Sequence, residues 1–429
     1  MSAFKAGFAR SDVTPPNGTY MAGQHFARYS EGVADPLYAS AVAVSDGENA
    51  AVIITMDFCL TTEPQTGALV AETARRTGLP ANCVFAHCTH THNGPSLSQE
   101  EAYADLTIRK IADTAKAALD DLTPARLAAA SGKVPDMAFC RRHIMKDGTV
   151  KTNPRPDNLP DVVGPAAVVD DSLELVRIIR EGAAEIVIVN FAIHPDTYGG
   201  LYISPDYPGY VVTTLEGALD NARCIFIDGA EGDVGSRGDL SLPIRKGRDK
   251  SKSIAYRIAG EVLRIYHTAA EIPADKVAAD IRLVQAPSNR ESDPRIVELA
   301  RQCLEYYKRD YEEASKCCSM RKYEAARIVD CDRGPDNREL HITALRIGDI
   351  AFCGIEGEPF SELGQRIKAA SPFGKTLCGC CVNGWRGYFP SDEAYEQGGY
   401  EVLFSYYRRG VGTLIIENAL ALLRDLYEK

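Results

Sequence analysis

The sequence predicts an α/β fold of mixed sheets with flanking helices. Apolar runs of strand length alternate with stretches of helical spacing along most of the 429 residues, and several of those runs end in a polar group followed by a glycine or proline turn. Residues 3–18 carry a turn signal, TPPNG, and strands are expected at 41–44 and 50–56 across Asp46-Gly47, the second ending on Asp57. A helix over 66–77 stops at Gly78-Leu79-Pro80, after which a strand from Cys83 delivers His87, His90 and His92 into the turn Asn93-Gly94-Pro95. Next come a helix over 102–122, a strand over 125–132, the segment CRRH at 140–143, a hairpin at Lys146-Asp147-Gly148 and a polar surface loop over 153–165.

The run 184–193 is the most strand-like and ends in His194-Pro195-Asp196. After a helix over 210–221, a buried strand at 224–227 delivers Asp228 and the loop GAEGDVGSRGD. Helices are expected at 254–270, 293–315 and 320–328, the last two as a charge-laced hairpin inserted at about 290–330. Strands 340–347 and 350–353 pair across Gly348-Asp349, and the second delivers Glu356 and Glu358. A helix over 361–370, a tail with Tyr388, Tyr395 and Tyr400, and a helix over 413–427 complete the chain.

Net charge is -11 with no basic block, which argues against a nucleic-acid partner. No apolar run is long enough for a transmembrane segment, and the N-terminus lacks the apolar core of a signal peptide. With thirteen cysteines, an odd number without a framework, this reads as a cytoplasmic protein with reduced thiols. Cys378, Cys380 and Cys381 lack the second pair that a zinc ribbon needs and are expected to play no part in metal binding.

Residues two apart in a strand share a face, so His90 and His92 could both point at one metal. Alternatively, His90 binds the metal and His92 contacts substrate or supports the site from behind. In α/β sheets ligands bind beyond strand ends, so Asp57, the histidine set, His194, Asp233 and Glu358 could converge despite their separation in the chain. Two histidines and a carboxylate with an open fourth position form the ligand set of a hydrolytic Zn2+ site. Singly, each also reads as an ordinary strand-end or turn residue.

Taken together, THTHNGP at 89–95, NFAIHP at 190–195, GDVG at 232–235, GEPF at 357–360 and GYFPSDEAYEQGGYE from Gly387 resemble the catalytic domain of the neutral (non-lysosomal) ceramidase family, in that family's order. The resemblance covers nearly the whole chain. It implies one ceramidase-like catalytic domain over 1–429 with the helical insertion, and no C-terminal immunoglobulin-like domain. It also implies Zn2+ held by His90, His194, Glu358 and Tyr388, a substrate contact from His92, a hydrogen bond to the reacting amide from Tyr400, and an arginine near the site at Arg141, with Arg142 as the alternative. The activity implied is hydrolysis of an amide in a small or lipid-like molecule. An ester or other acyl hydrolase with the same site, or an inactive zinc-stabilised binding protein, are the other readings. Gly235 stands where the family carries its serine. Either a zinc-activated water acts without that hydroxyl, or Ser236, displaced by one position, reaches the metal from the glycine-rich loop.

Overall fold

A computed structural model describes residues 4–242 and 245–429. Its nine-stranded sheet runs in the order Ala222–Asp228, Glu185–Phe191, Ser172–Arg180, Thr123–Lys133, Lys5–Asp12, Tyr38–Ser45, Ala50–Met56 and Val84–Cys88, with Ala270–Ile272 paired to Thr123–Lys133. A second sheet holds Val277–Pro287, Asn337–Ile347, Ile350–Ile355 and Lys375–Gly379. Phe85, Ile178, Ile186 and Ile225 of the first sheet pack on Leu345, Phe352 and Leu377 of the second, so the two sheets share a core. Helices Glu63–Thr77 and Glu101–Asp120 cover one half of the outer face of the large sheet, and Asp206–Ala218 and Arg248–Ile265 cover the other. Ser361–Ala370 and Val411–Glu428 cover the second sheet. The predicted α/β class therefore holds, as four layers with two sheets at the centre.

The large sheet curls until its two end strands meet. The Asp228 amide donates to Nε2 of His87 at 3.1 Å, although these residues end strands at opposite edges. Burial pushes the His87 pKa down to about 3, so the ring is neutral and can accept this bond. The segment after Lys375–Gly379 fills the junction: Cys380 N donates to Asp228 O and Cys88 N to Cys381 O. Asn383, at φ +54°, accepts from Ala86 N and donates to Val84 O and to the Thr343 hydroxyl. Asparagine tolerates this left-handed backbone better than most residues.

The strands Lys5–Asp12, Ser172–Arg180 and Val277–Pro287 were not expected from sequence, because each mixes charged residues into its apolar pattern. The helix expected at 210–221 is Asp206–Ala218, and that expected at 254–270 is Arg248–Ile265. The helix expected at 293–315 is two, Pro294–Arg309 and Tyr311–Cys317. Asp310 leaves helical angles between them and caps the second by accepting from Glu313 N. With Lys322–Arg333 these helices bury a small core of their own around Val297, Ala300 and Ile328. The surface loop expected at 153–165 contains a strand, Val162–Pro165, paired with Arg142–Met145.

Asn383→Ala should cost about 2–4 kcal/mol, since it strands the Ala86 amide and the Val84 carbonyl inside the protein. Urea denaturation measures this, and a loss below about 0.5 kcal/mol would show that the Asn383 bonds are not needed for closure.

Candidate metal centre

His90 follows the strand Val84–Cys88 at φ +60°, a conformation that non-glycine residues rarely adopt. The surrounding loop holds it there: Thr91 Oγ1 donates to Ser204 O, Asn93 Nδ2 donates to Gly199 O and Tyr202 O, and His92 N donates to Pro195 O. Nδ1 of His90 donates to Cys59 O at 2.7 Å, which leaves Nε2 with its lone pair facing inward. His194 follows the strand Glu185–Phe191; its Nδ1 is hydrogen-bonded to Glu231 and lies 3.8 Å from Glu358 Oε2, while its Nε2 meets His92. These partners assign the tautomers.

His92 completes a triangle with the two rings, its Nε2 at 3.4 Å from Nε2 of His90 and 3.0 Å from Nε2 of His194. Its Nδ1 lies 3.5 Å from Gln24 Nε2. Glu358, on the short strand Glu358–Pro359, places Oε2 at 3.6 Å from His90 Nε2, and Trp385 Nε1 donates to its Oε1 at 2.6 Å. Oε2 of Glu358 and Oε1 of Glu231 are buried with no hydrogen-bond partner among the described residues. His90, His194, Glu231 and Glu358 each offer a ligand atom within 4.8 Å of the others. Two imidazoles with two carboxylates suit a divalent cation of zinc type, and a cation would satisfy the orphaned oxygens.

The electrostatics point the same way. Burial pushes His92 and His194 well below the ordinary histidine value, so both are neutral at pH 7. Burial also raises Glu358 and Glu231. His90 is pushed down by burial too, but Cys59, Cys381, Glu358 and Glu231 outweigh this and hold it well above the usual value.

Two residues here escaped sequence reading. Glu231 lies three positions past Asp228 in the glycine-rich loop, and Trp385, the chain's one tryptophan, lies three before Tyr388. Gly232 allows the approach of Glu231: a Cβ there would lie 2.5 Å from Glu358 O, and its amide donates to Pro359 O. By contrast, Asp57 and Asp233 do not converge on the cluster. Asp57 accepts from Tyr38 N and Thr89 Oγ1, and Asp233 accepts from Ser361 N at a helix start. Glu356 pairs with Arg386 and His341. Of the cysteines, Cys381 Sγ lies 3.5 Å from His90 Nδ1 and Cys380 groups with Asp228 and Glu231, while Cys378 lies apart, against Gly364.

Tyr388 pairs with Glu358 across two short parallel strands and lies under the Arg141 guanidinium, 5.5 Å from its ring centre. Arg141 donates to Glu401 Oε1 and Gly232 O and, with His194, Gly235 and Ser236, lines a cavity of about 480 Å³. Arg142 instead packs over Phe360 and reaches Glu401 and Gln397. Tyr400 stacks edgewise on Tyr388, with ring centroids 5.6 Å apart, and its hydroxyl meets His25 Nε2 at 3.1 Å.

Among solved structures, the neutral ceramidase from Pseudomonas aeruginosa superposes with a TM-score of 0.75 at 17% identity, over 99% of this chain and 75% of that one. The chain has the neutral ceramidase fold. A ceramidase complexed with C2 gives 0.72 at 16% identity, over 99% and 75% of the respective chains. No family model and no curated protein sequence matches the chain. The resemblance in the motifs thus holds as likeness to the ceramidase fold.

Gly232→Ala should push the Glu231 loop away from Glu358 and weaken metal affinity by about 10-fold or more, the scale of losing a group that orients a ligand. Chelator competition measures this, and unchanged affinity would contradict the close-approach argument. Because the pKa values of Glu358, Glu231 and His90 all lie above their usual ones, protons compete for these groups at higher pH than usual. Affinity should therefore fall as pH drops from about 8 to about 6, with protons released on binding.

Proposed function

We propose that the chain is a zinc-dependent amidohydrolase, cleaving an N-acyl bond in a small or amphiphilic, lipid-like molecule. The observation that carries this reading is the convergence of His90, His194, Glu231 and Glu358, with ligand atoms within 4.8 Å of one another and Glu358 Oε2 3.6 Å from His90 Nε2, beside a substrate-sized cavity. Zn2+ would be held by His90, His194 and Glu358, with Tyr388 adjoining, and Glu231 would orient His194. Bound there, it would polarise a carbonyl and lower the pKa of water.

The remaining work falls to the chain's own side chains. Arg141, fixed by Glu401 and the Gly232 carbonyl, turns its charge toward the cluster, where an oxyanion develops during amide cleavage. Tyr400, oriented by His25, supplies a hydroxyl donor, and neutral His92 contacts the substrate beside the cluster. The partly buried rings of Tyr323, Phe404 and Trp385 join Tyr400 in an apolar flank suited to an acyl group. Thirteen unpaired cysteines support a reducing, cytosolic setting.

Gly235 favours the second reading, an inactive binding protein, since no hydroxyl stands at that position. Yet among the described residues a Cβ at Gly235 would meet only Arg141 Cβ, at 3.4 Å, so a serine side chain would have room there. The same geometry would serve an ester.

Zinc-loaded protein should turn over N-acyl amines, and Tyr400→Phe should lower kcat by about 10²–10³ with zinc retained. Ser236→Ala should stay within about threefold of wild type, because activated water needs no neighbouring hydroxyl. No turnover of any N-acyl or ester substrate by fully loaded protein would leave the binding-protein reading. His194→Ala should lose most of the metal, and full zinc occupancy in that variant would sink the ligand assignment.

A further inference from the structure

The cavity beside His194 has the wrong lining for a neutral two-chain lipid. Among the described residues Leu242 is its one large aliphatic side chain, while Arg141, Arg237, Arg245, Lys246 and Lys250 face it against two carboxylates, Asp196 and Asp239. Glu401 neutralises Arg141, and Asp196 pairs with Lys246. The other three cations have no carboxylate partner among the described residues. Arg237 spends its guanidinium on the carbonyls of Pro154, Leu240 and Leu242, Lys250 donates to Ser236 O at 3.1 Å, and Arg245 is exposed. This concentration stands in a chain of net charge -11.

The placement has a cost. Lys250 sits in the first turn of Arg248–Ile265, where the helix dipole disfavours a cation. Burial and the nearby Arg257 also push its pKa below the usual lysine value. An anion at the same place would gain from the helix N-terminus and from all three cations.

We propose that this cavity receives an anionic group of the substrate, so that the scissile amide belongs to a carboxylate-bearing molecule of the N-acyl amino acid class. The inference rests on the hydrolase reading of the adjoining centre. Arg245 and Lys250 then set specificity, through the charge they present to the carboxylate.

The test compares N-lauroylglycine with its neutral counterpart N-lauroylethanolamine and with a short-chain ceramide, on zinc-loaded protein. The expected kcat/KM order places N-lauroylglycine first by roughly 100-fold, with the margin shrinking as salt is raised. Arg245→Ala and Lys250→Met should each cut the glycine-over-ethanolamine ratio roughly tenfold, as a rise in KM, with zinc content unchanged. Equal rates for the charged and neutral amides, or ratios unmoved in both variants, would overturn the proposal. Calorimetric titration of N-lauroylglycine separates the two layers of argument. Binding that is lost in the double variant, without turnover of any amide, supports the anion site and overturns the hydrolase reading. Hydrolysis of the ceramide, with N-lauroylglycine neither bound nor cleaved, overturns the anion site and leaves the hydrolase reading standing.

Discussion

The bond from the Asp228 amide to the His87 imidazole closes the large sheet on itself, and the candidate centre depends on that closure. Strands Val84–Cys88 and Ala222–Asp228 lie at opposite ends of the pairing order, yet their C-terminal ends are held a hydrogen bond apart. The histidine loop beyond one and the Glu231 loop beyond the other therefore open into the same space. Lys375–Gly379 adds the third wall, since Cys380 and Cys381 are pinned to the two edges by backbone bonds. A neutral His87 suits this junction, because burial removes its charge and leaves an acceptor where a buried amide needs one.

Closure brings groups together that repel each other or lose hydration. Glu358, Glu231 and Asp228 are all but fully buried, each with an oxygen left unpartnered, and burial raises all three pKa values. An isolated carboxylate in such surroundings is costly unless it is paired, protonated or bound to metal. Arg141 supplies part of the compensation, although Glu401 and the Gly232 carbonyl take its Nε and one Nη2 donor. His90 in a left-handed conformation adds backbone strain at the same point, as is common where a side chain must be aimed. The fold thus spends stability here, which a divalent cation held by these groups would recover.

Much of this was legible in the sequence because the candidate ligand residues follow apolar strands directly. His90, His194 and Glu358 each stand within three residues of a strand end, and the class of fold follows from the same runs. Glu231 and Trp385 were not legible. Their contributions arise from loops of which neither has a period to read, and from a close approach at Gly232 visible only in three dimensions. Asp57 and Asp233 misled for the opposite reason: a strand-end carboxylate is as apt to satisfy backbone amides as to face a ligand. The mixed strands Lys5–Asp12 and Ser172–Arg180 hid their place in the sheet because Arg10 and Arg177 are paired through their side chains with Glu216 and Glu185. Adjacent thiols were set aside by spacing alone, whereas their neighbours in space are His90, Asp228 and Glu231.

The most direct test of the central claim is X-ray absorption on zinc-loaded protein, because nitrogen and oxygen ligands lie at about 2.0–2.2 Å and sulfur at about 2.3 Å. The account predicts a first shell of nitrogen and oxygen alone, with the outer-shell scattering of two imidazoles, lost when His90 and His194 are both replaced. A sulfur shell from Cys59, Cys380 or Cys381, or a spectrum without imidazole scattering, would contradict it.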